Sequence, residues 1–198
     1  MTQRQPRPLT PDAARALQLL LHPRPGPGLG ERELDAVEER YGFRFAADHR
    51  VFLGAGLPLG GGWPDWRDGD PAVLRELLGR PVEGVLFDVE HNGFWYPGWG
   101  ERPAGTAAAV ETARRALADA PQLVPVHGHR CLPGLAGQFG HPVLSVQQTD
   151  VIVYGADLAD YVRHEFAGRP AELDRAEVTV GFWTYVYREN NGLPTDGT

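Results

Sequence analysis

The strongest constraint on the fold lies in residues 123–154, where short β-branched and apolar runs are punctuated by proline, glycine and aspartate. Leu-Val-Pro-Val-His and Arg-Cys-Leu-Pro are followed by a glycine-rich bend, then by Pro-Val-Leu-Ser-Val and Asp-Val-Ile-Val-Tyr. Short runs of this type, separated by turn residues, predict an antiparallel meander. The same stretch contains the only cysteine, Cys131, the only serine, Ser145, and three of the seven histidines. Side-chain chemistry, if the chain performs any, would be concentrated there.

Helical patterns flank the meander. Thr10-Pro11 and Asp70-Pro71 each combine an N-cap residue with proline at the first helical position. The first start leads into a stripe of Ala13, Leu17, Leu20 and Leu21, the second into Val73, Leu74, Leu77 and Leu78. A helix with Glu31 and Glu33 in its first turn buries Leu34, Val37 and Tyr41 and ends at Gly42. Phe43 and Phe45 pin the following turn, and a short helix covers residues 48–53. Pro81 reads as the start of another helix, carrying Val82, Val85, Leu86 and Val89. Further helices span residues 106–118, with Ala107, Val110, Ala113 and Leu117 inward, and 157–166, with Leu158, Tyr161 and Val162 inward. Residues 178–187 fit strand or helix, because a short apolar run is not assigned by periodicity alone. The expected architecture is α+β: one domain with a central antiparallel sheet flanked by helices. Residues 1–29 supply an N-terminal helix and Pro/Gly-rich loop, 30–188 the main domain, and 189–198 a flexible tail.

Composition narrows the classes of function. The chain has 198 residues and a net charge of −7, and all its basic residues are arginine. Without lysine there is no Schiff-base nucleophile and no Walker-type phosphate loop. The negative charge disfavours direct nucleic-acid binding and favours a basic protein partner. No apolar run approaches the ~20 residues of a membrane span, and the N-terminal residues do not read as a signal peptide. A lone cysteine forms no internal disulfide, so a cytoplasmic setting is expected.

Two groups of candidate site residues stand out. If residues 126–132 were one extended strand, His127, His129 and Cys131 would share a face, with His141 across a loop. That set suits zinc or a thiol nucleophile. Strand histidines beside glycine more often pack or hydrogen-bond, and no second cysteine or supporting carboxylate completes the motif. Ser145 lacks the flanking glycines of a nucleophile elbow. Asp88, Glu90 and His91 could suggest acid–base chemistry, yet Asp88 and Glu90 point apart on a helix, and a solvated pair or cap is the ordinary reading of Asp88 with His91. The second group is aromatic: four of five tryptophans fall in or beside glycine- and proline-rich loops between Trp63 and Trp99. Loop aromatics supply contact energy at recognition surfaces, or else roof a small core.

Ordered blocks across residues 30–166 carry a resemblance. They include Tyr41-Gly-Phe-Arg-Phe45, Pro64-Asp-Trp-Arg67, Glu83-Gly-Val-Leu-Phe-Asp-Val-Glu90, Phe94-Trp95, Leu123-Val-Pro-Val-His-Gly-His-Arg130 and Pro142-Val-Leu-Ser-Val-Gln-Gln-Thr-Asp150. Together they resemble the SUKH superfamily of Smi/Knr-like proteins, in its bacterial branch. The resemblance implies an α+β binding scaffold without catalytic residues or cofactors. Bacterial members are immunity proteins that neutralise toxin domains, often nucleases, and fungal relatives are regulatory hubs. An aromatic is common in the family where Cys131 stands, which marks a packing position. The expectation is therefore a non-enzymatic immunity-type protein, with a regulatory scaffold and a small metal- or thiol-dependent enzyme as alternatives. Trp63, Asp65, Trp66, His127, His129 and Arg130 are the expected partner contacts.

Overall fold

A computed structural model describes residues 7–173 and 176–195. The ends of the N-terminal and tail segments named above, residues 1–6 and 196–198, lie outside the described residues. In chain order the elements are α1 (Pro11–Gln18), α2 (Glu31–Tyr41), α3 (Ala47–Ala55), α4 (Pro71–His91), a 3₁₀ turn (Pro97–Trp99), α5 (Thr106–Leu117), β1 (Leu123–His127), β2 (Arg130–Pro133), β3 (Val143–Gln147), β4 (Asp150–Gly155), α6 (Leu158–Ala167) and α7 (Gly181–Asn190). The strands form one antiparallel sheet in the order β1-β2-β3-β4, the predicted meander.

Both faces of this sheet are covered, and the sheet therefore separates two cores. Val124, Leu132 and Val143 face α1, α2, α3 and α6, where Leu17, Leu34, Phe52 and Tyr161 are buried. Leu123, Cys131, Leu144, Val146, Val151 and Val153 face α5, α7 and the second half of α4. Strands buried on both faces read as continuous apolar runs, and Leu123-Val-Pro-Val126 is one. The outermost strand β4 alternates, leaving Ile152 41 % exposed.

Helix starts follow local chemistry. The Thr10 hydroxyl accepts from the Ala13 amide (3.2 Å), Asp70 from Ala72 (2.7 Å) and Asp157 from Asp160 (2.7 Å). Gly42 closes α2 in the left-handed conformation.

Pro81 does not open a separate helix: α4 runs unbroken from Pro71 to His91 with Pro81 buried inside it. An interior proline removes one backbone hydrogen bond and costs about 3 kcal/mol. The cost is offset because Leu74 and Leu78 bury in the first core, and Val85, Leu86 and Val89 in the second. Each such side chain contributes roughly 1.5–3 kcal/mol on burial. Val73 is 51 % exposed, so Leu74 and Leu78 alone form the deep stripe. On α5 the buried positions are Ala109, Ala113 and Leu117, and Ala107 faces solvent.

Residues 181–190 resolve as helix α7, with Phe182, Trp183 and Val186 inward and Trp183 Nε1 donating to Pro121 O (2.7 Å). The tail therefore begins later than expected. Asn190 Nδ2 donates to Thr149 O and Asn191 Nδ2 to Val151 O (3.5 Å), tying the end of α7 to the sheet.

Candidate partner-binding groove

Strand direction places the β1–β2 and β3–β4 turns at the same end of the sheet, and Val146 N donates to His129 O (3.0 Å) between them. The two halves of this end have opposite chemistry.

The first half gathers four of the expected contacts. Trp63 is half-buried, stacked on Phe52 (5.9 Å between centroids) and Phe166 (5.5 Å), and tilted against His127 (4.8 Å). The His127 ring is fixed at both nitrogens, Nδ1 lying 3.0 Å from Tyr161 Oη and Nε2 2.7 Å from Gly61 O. Gly60, Gly61 and Gly62 all have positive φ (70°, 56° and 101°), and this left-handed run carries Gly61 O to the imidazole. Beside them His129 and Arg130 touch, and the Arg130 guanidinium lies 4.1 Å from the centre of the Tyr154 ring. Burial, together with the Arg130 charge, holds the His129 pKa below the usual imidazole range.

The other two expected contacts are structural. Trp66 is 3 % exposed and packs on Phe43 (5.5 Å) and Phe45 (5.4 Å), so it belongs to the core and is closed to a partner. Asp65 Oδ1 accepts from the amides of Arg67 (3.1 Å) and Asp68 (3.0 Å), folding its own turn. Trp95, by contrast, roofs the second core as one of the two readings anticipated, its indole donating to Gly100 O (2.7 Å).

The metal- and thiol-site residues are not brought together. Residues 126–132 are not one strand, because Gly128 and His129 turn the chain between β1 and β2 and break the period-two alignment. Cys131 faces the second core at 3 % exposure, and burial pushes its thiol up to about 12. His141 bonds Gln138 Oε1 (2.8 Å) in the β2–β3 loop. Among the described residues, no three His, Cys, Asp or Glu side chains cluster closely enough to hold a metal ion.

The second half is a concavity of about 620 Å³ between the β3–β4 turn, the end of α4 and the end of α7. Its carboxylates are Asp88, Asp150 and Glu189, its amides Asn92, Gln147, Gln148 and Asn190, and Phe94 and Trp95 add aromatic surface. No basic side chain lines it among the described residues. Asp88 holds it in shape: 4 % exposed, it accepts from Thr149 N (2.8 Å), Thr149 Oγ1 (2.6 Å) and Asn92 Nδ2 (2.6 Å). It is thus not a solvated partner of His91, because Thr149 and Asn92 take both of its oxygens. His91 packs on Phe87 (4.4 Å between centroids) and lies 3.6 Å from Glu90. Gly84 completes the support, since its bare Cα lets the Gln148 backbone press against α4.

Sequence reasoning did not locate this groove. Asp88, Trp95 and Asp150 stand in separate blocks, and Glu189 and Asn190 fall in the segment read as a tail. The available signal was Gln147-Gln-Thr-Asp150, four polar residues between two apolar runs, a hairpin turn whose threonine needs a buried acceptor.

No family model, curated protein or solved structure matches the chain. Among the described residues no helix is long and apolar enough to cross a membrane.

Proposed function

We propose that the protein is a non-enzymatic, cytoplasmic protein-binding domain, an immunity-type protein that occludes a basic toxin domain such as a nuclease. The observation that carries this reading is the groove at the β3–β4 turn, with three carboxylates, four amides, two aromatic rings and no cation. Within this lining Asp150, Glu189 and the side-chain amides accept an arginine or lysine side chain by charge-assisted hydrogen bonds, while Asp88 is committed to the turn and Trp95 already carries Arg102 over its ring. Asp88 and its three donors already fix the turn, so little ordering entropy is lost on binding. Three blocks that resemble the SUKH superfamily, those containing Asp88, Trp95 and Gln147–Asp150, supply part of this lining, and Asn92, Glu189 and Asn190 lie outside them. The overall charge of −7 adds long-range steering toward a basic partner. A standard interface of about 800 Å² per partner is within reach of a domain this size.

Co-purification from native cells, mass spectrometry of the partner and reconstitution of the pure pair test the reading. The expected partner is a basic toxin domain whose activity falls stoichiometrically as the protein is added. The Asp150→Asn/Glu189→Gln double variant is expected to associate about tenfold more slowly at low salt, with the difference shrinking as salt rises. Undiminished association of that variant would remove the groove from the interface. Recovery of an endogenous enzyme with no toxin would replace immunity by a scaffold role.

A further inference from the structure

We propose that Arg130 is the docking point for a carboxylate side chain of the protein partner, on the half of the sheet end that faces away from the acidic groove. The inference rests on the protein-binding reading above and adds the second charge that the partner has to present.

Arg130, like Arg40, Arg75 and Arg102, lies over an aromatic ring without an ion pair among the described residues, and it alone of the four does so at this end of the sheet, against His129. Arg44, Arg50, Arg67, Arg80 and Arg114 each reach a carboxylate at 2.6–3.0 Å. Arg130 has no ion pair among the described residues. Glu165 acts electrostatically on His129 and Tyr161, but it does not pair with Arg130. The guanidinium is nevertheless held in place. Its carbon lies 4.1 Å from the Tyr154 ring centre, and Nη1 is 2.6 Å from His129 Nε2. Nε is buried without a hydrogen-bond partner, and Nη2 bonds to no described residue.

With Nε enclosed and Nη1 on His129, the open donor of this fixed guanidinium is Nη2, and its match is a carboxylate. The neutral His129 ring accepts from Arg130 and adds no competing charge. The surroundings suit a protein contact, not a free anion: Ile152 is 41 % exposed on the strand that carries Tyr154, and Trp63 is half-buried beside His127. Arginine and aromatic anchors of this kind dominate interface energetics. A partner carrying a cation for the groove and a carboxylate for Arg130 could dock in one orientation only, because reversal would bring like charges together on both sides.

The test is an NMR titration of the isotope-labelled full chain with a blocked glutamate amide at constant ionic strength, read at the Arg130 Nε–H and the His129 ring. Saturable shifts are expected, with a Kd on the order of tens of millimolar for one charge-assisted contact. Arg130→Gln is expected to weaken binding about tenfold or more, while Arg130→Lys keeps the charge, loses the planar fork and falls between. Circular dichroism confirms that each variant is folded. Shifts that rise linearly, that persist in Arg130→Gln, or that a blocked glutamine amide reproduces would overturn the proposal. Tighter, saturable binding of inorganic phosphate at the same resonances would overturn it too, by making the site a phosphate site. The titration needs no partner, so the two readings fail separately. A saturating site on a chain that captures no protein removes the protein-binding reading alone. A partner bound equally well by Arg130→Gln removes this site alone.

Discussion

Replacing Gly84 with alanine measures how tightly the groove-forming turn is seated on α4. A Cβ at this position would stand 2.8 Å from Gln148 Cα and 3.0 Å from Gln148 N, both backbone atoms. The turn has little room to retreat. Gln148 already occupies the left-handed region at φ 58°, and Thr149 is held by Asp88 through two bonds of 2.8 and 2.6 Å. Three terms set the sign. Glycine to alanine in a helix interior gains about 1 kcal/mol in propensity. Overpacking against backbone costs about 1–3 kcal/mol. Stretching a hydrogen bond to a charged acceptor forfeits part of the roughly 1.5–3 kcal/mol it contributes. The expected net effect of Gly84→Ala is a destabilisation of about 1–3 kcal/mol. Gly79 on the same helix is the control, because a Cβ there meets nothing within 4 Å. Gly79→Ala should stabilise by about 0.5–1 kcal/mol. Urea unfolding at constant m reads both changes, and amide exchange at Thr149 reports whether the turn has loosened. Equal stabilisation by the two substitutions would refute the claim that close packing of the turn sets the geometry of the groove.

Two further outcomes follow from buried titratable groups. His49 is 1 % exposed, its Nδ1 has no partner, and burial lowers its pKa from 6.5 to about 3. The unfolded chain therefore binds one more proton between those values, so this contribution is complete above pH ~6.5 and declines as pH falls toward 3. Between pH 7 and 5 the loss from this site should be about 2 kcal/mol, read as the difference in denaturation between the protein and His49→Phe. A parallel pH dependence in the two proteins would dismiss the assignment. Cys131, 3 % exposed with its thiol pushed up to about 12, should resist a thiol reagent at pH 8 until the chain is unfolded. Rapid labelling of the native protein would reopen thiol chemistry.

Local signals carried much of the fold. Thr10, Asp70 and Asp157 begin helices because a short oxygen side chain satisfies an otherwise free amide, and that rule acts within three residues. The meander was legible for a similar reason, since turn residues punctuate each strand. Where two cores compete for one element, sequence neighbours mislead. Pro81 argues locally for a break, but α4 is anchored at both ends by separate cores, and that burial lies beyond any window of periodicity. Residues 178–187 fit strand or helix because Phe182, Trp183, Tyr185, Val186 and Tyr187 are good strand formers, and packing against β4 selects a helix over Gly181–Asn190. The contact residues divided in the same way. Trp63 lies in a loop and His127, His129 and Arg130 in or beside the β1–β2 turn, at one end of the sheet, while Trp66, two positions beyond a proline, turns inward against Phe43 and Phe45. The acidic groove draws on α4, the β3–β4 turn and α7, and no single block of sequence contains it.

The side-chain amides at the end of α7 also decide what the sheet cannot do. Thr149 and Val151 present their carbonyls along the outer margin of β4, where an intruding strand from another molecule would seek its first hydrogen bonds. Asn190 and Asn191 already occupy those acceptors. The last turn of α7 and the residue after it thus cap two outward carbonyls at the start of the β4 edge. A shortened protein ending before Asn190 would free both carbonyls and remove one lining amide of the groove, and it is expected to aggregate faster than the full chain in a light-scattering assay.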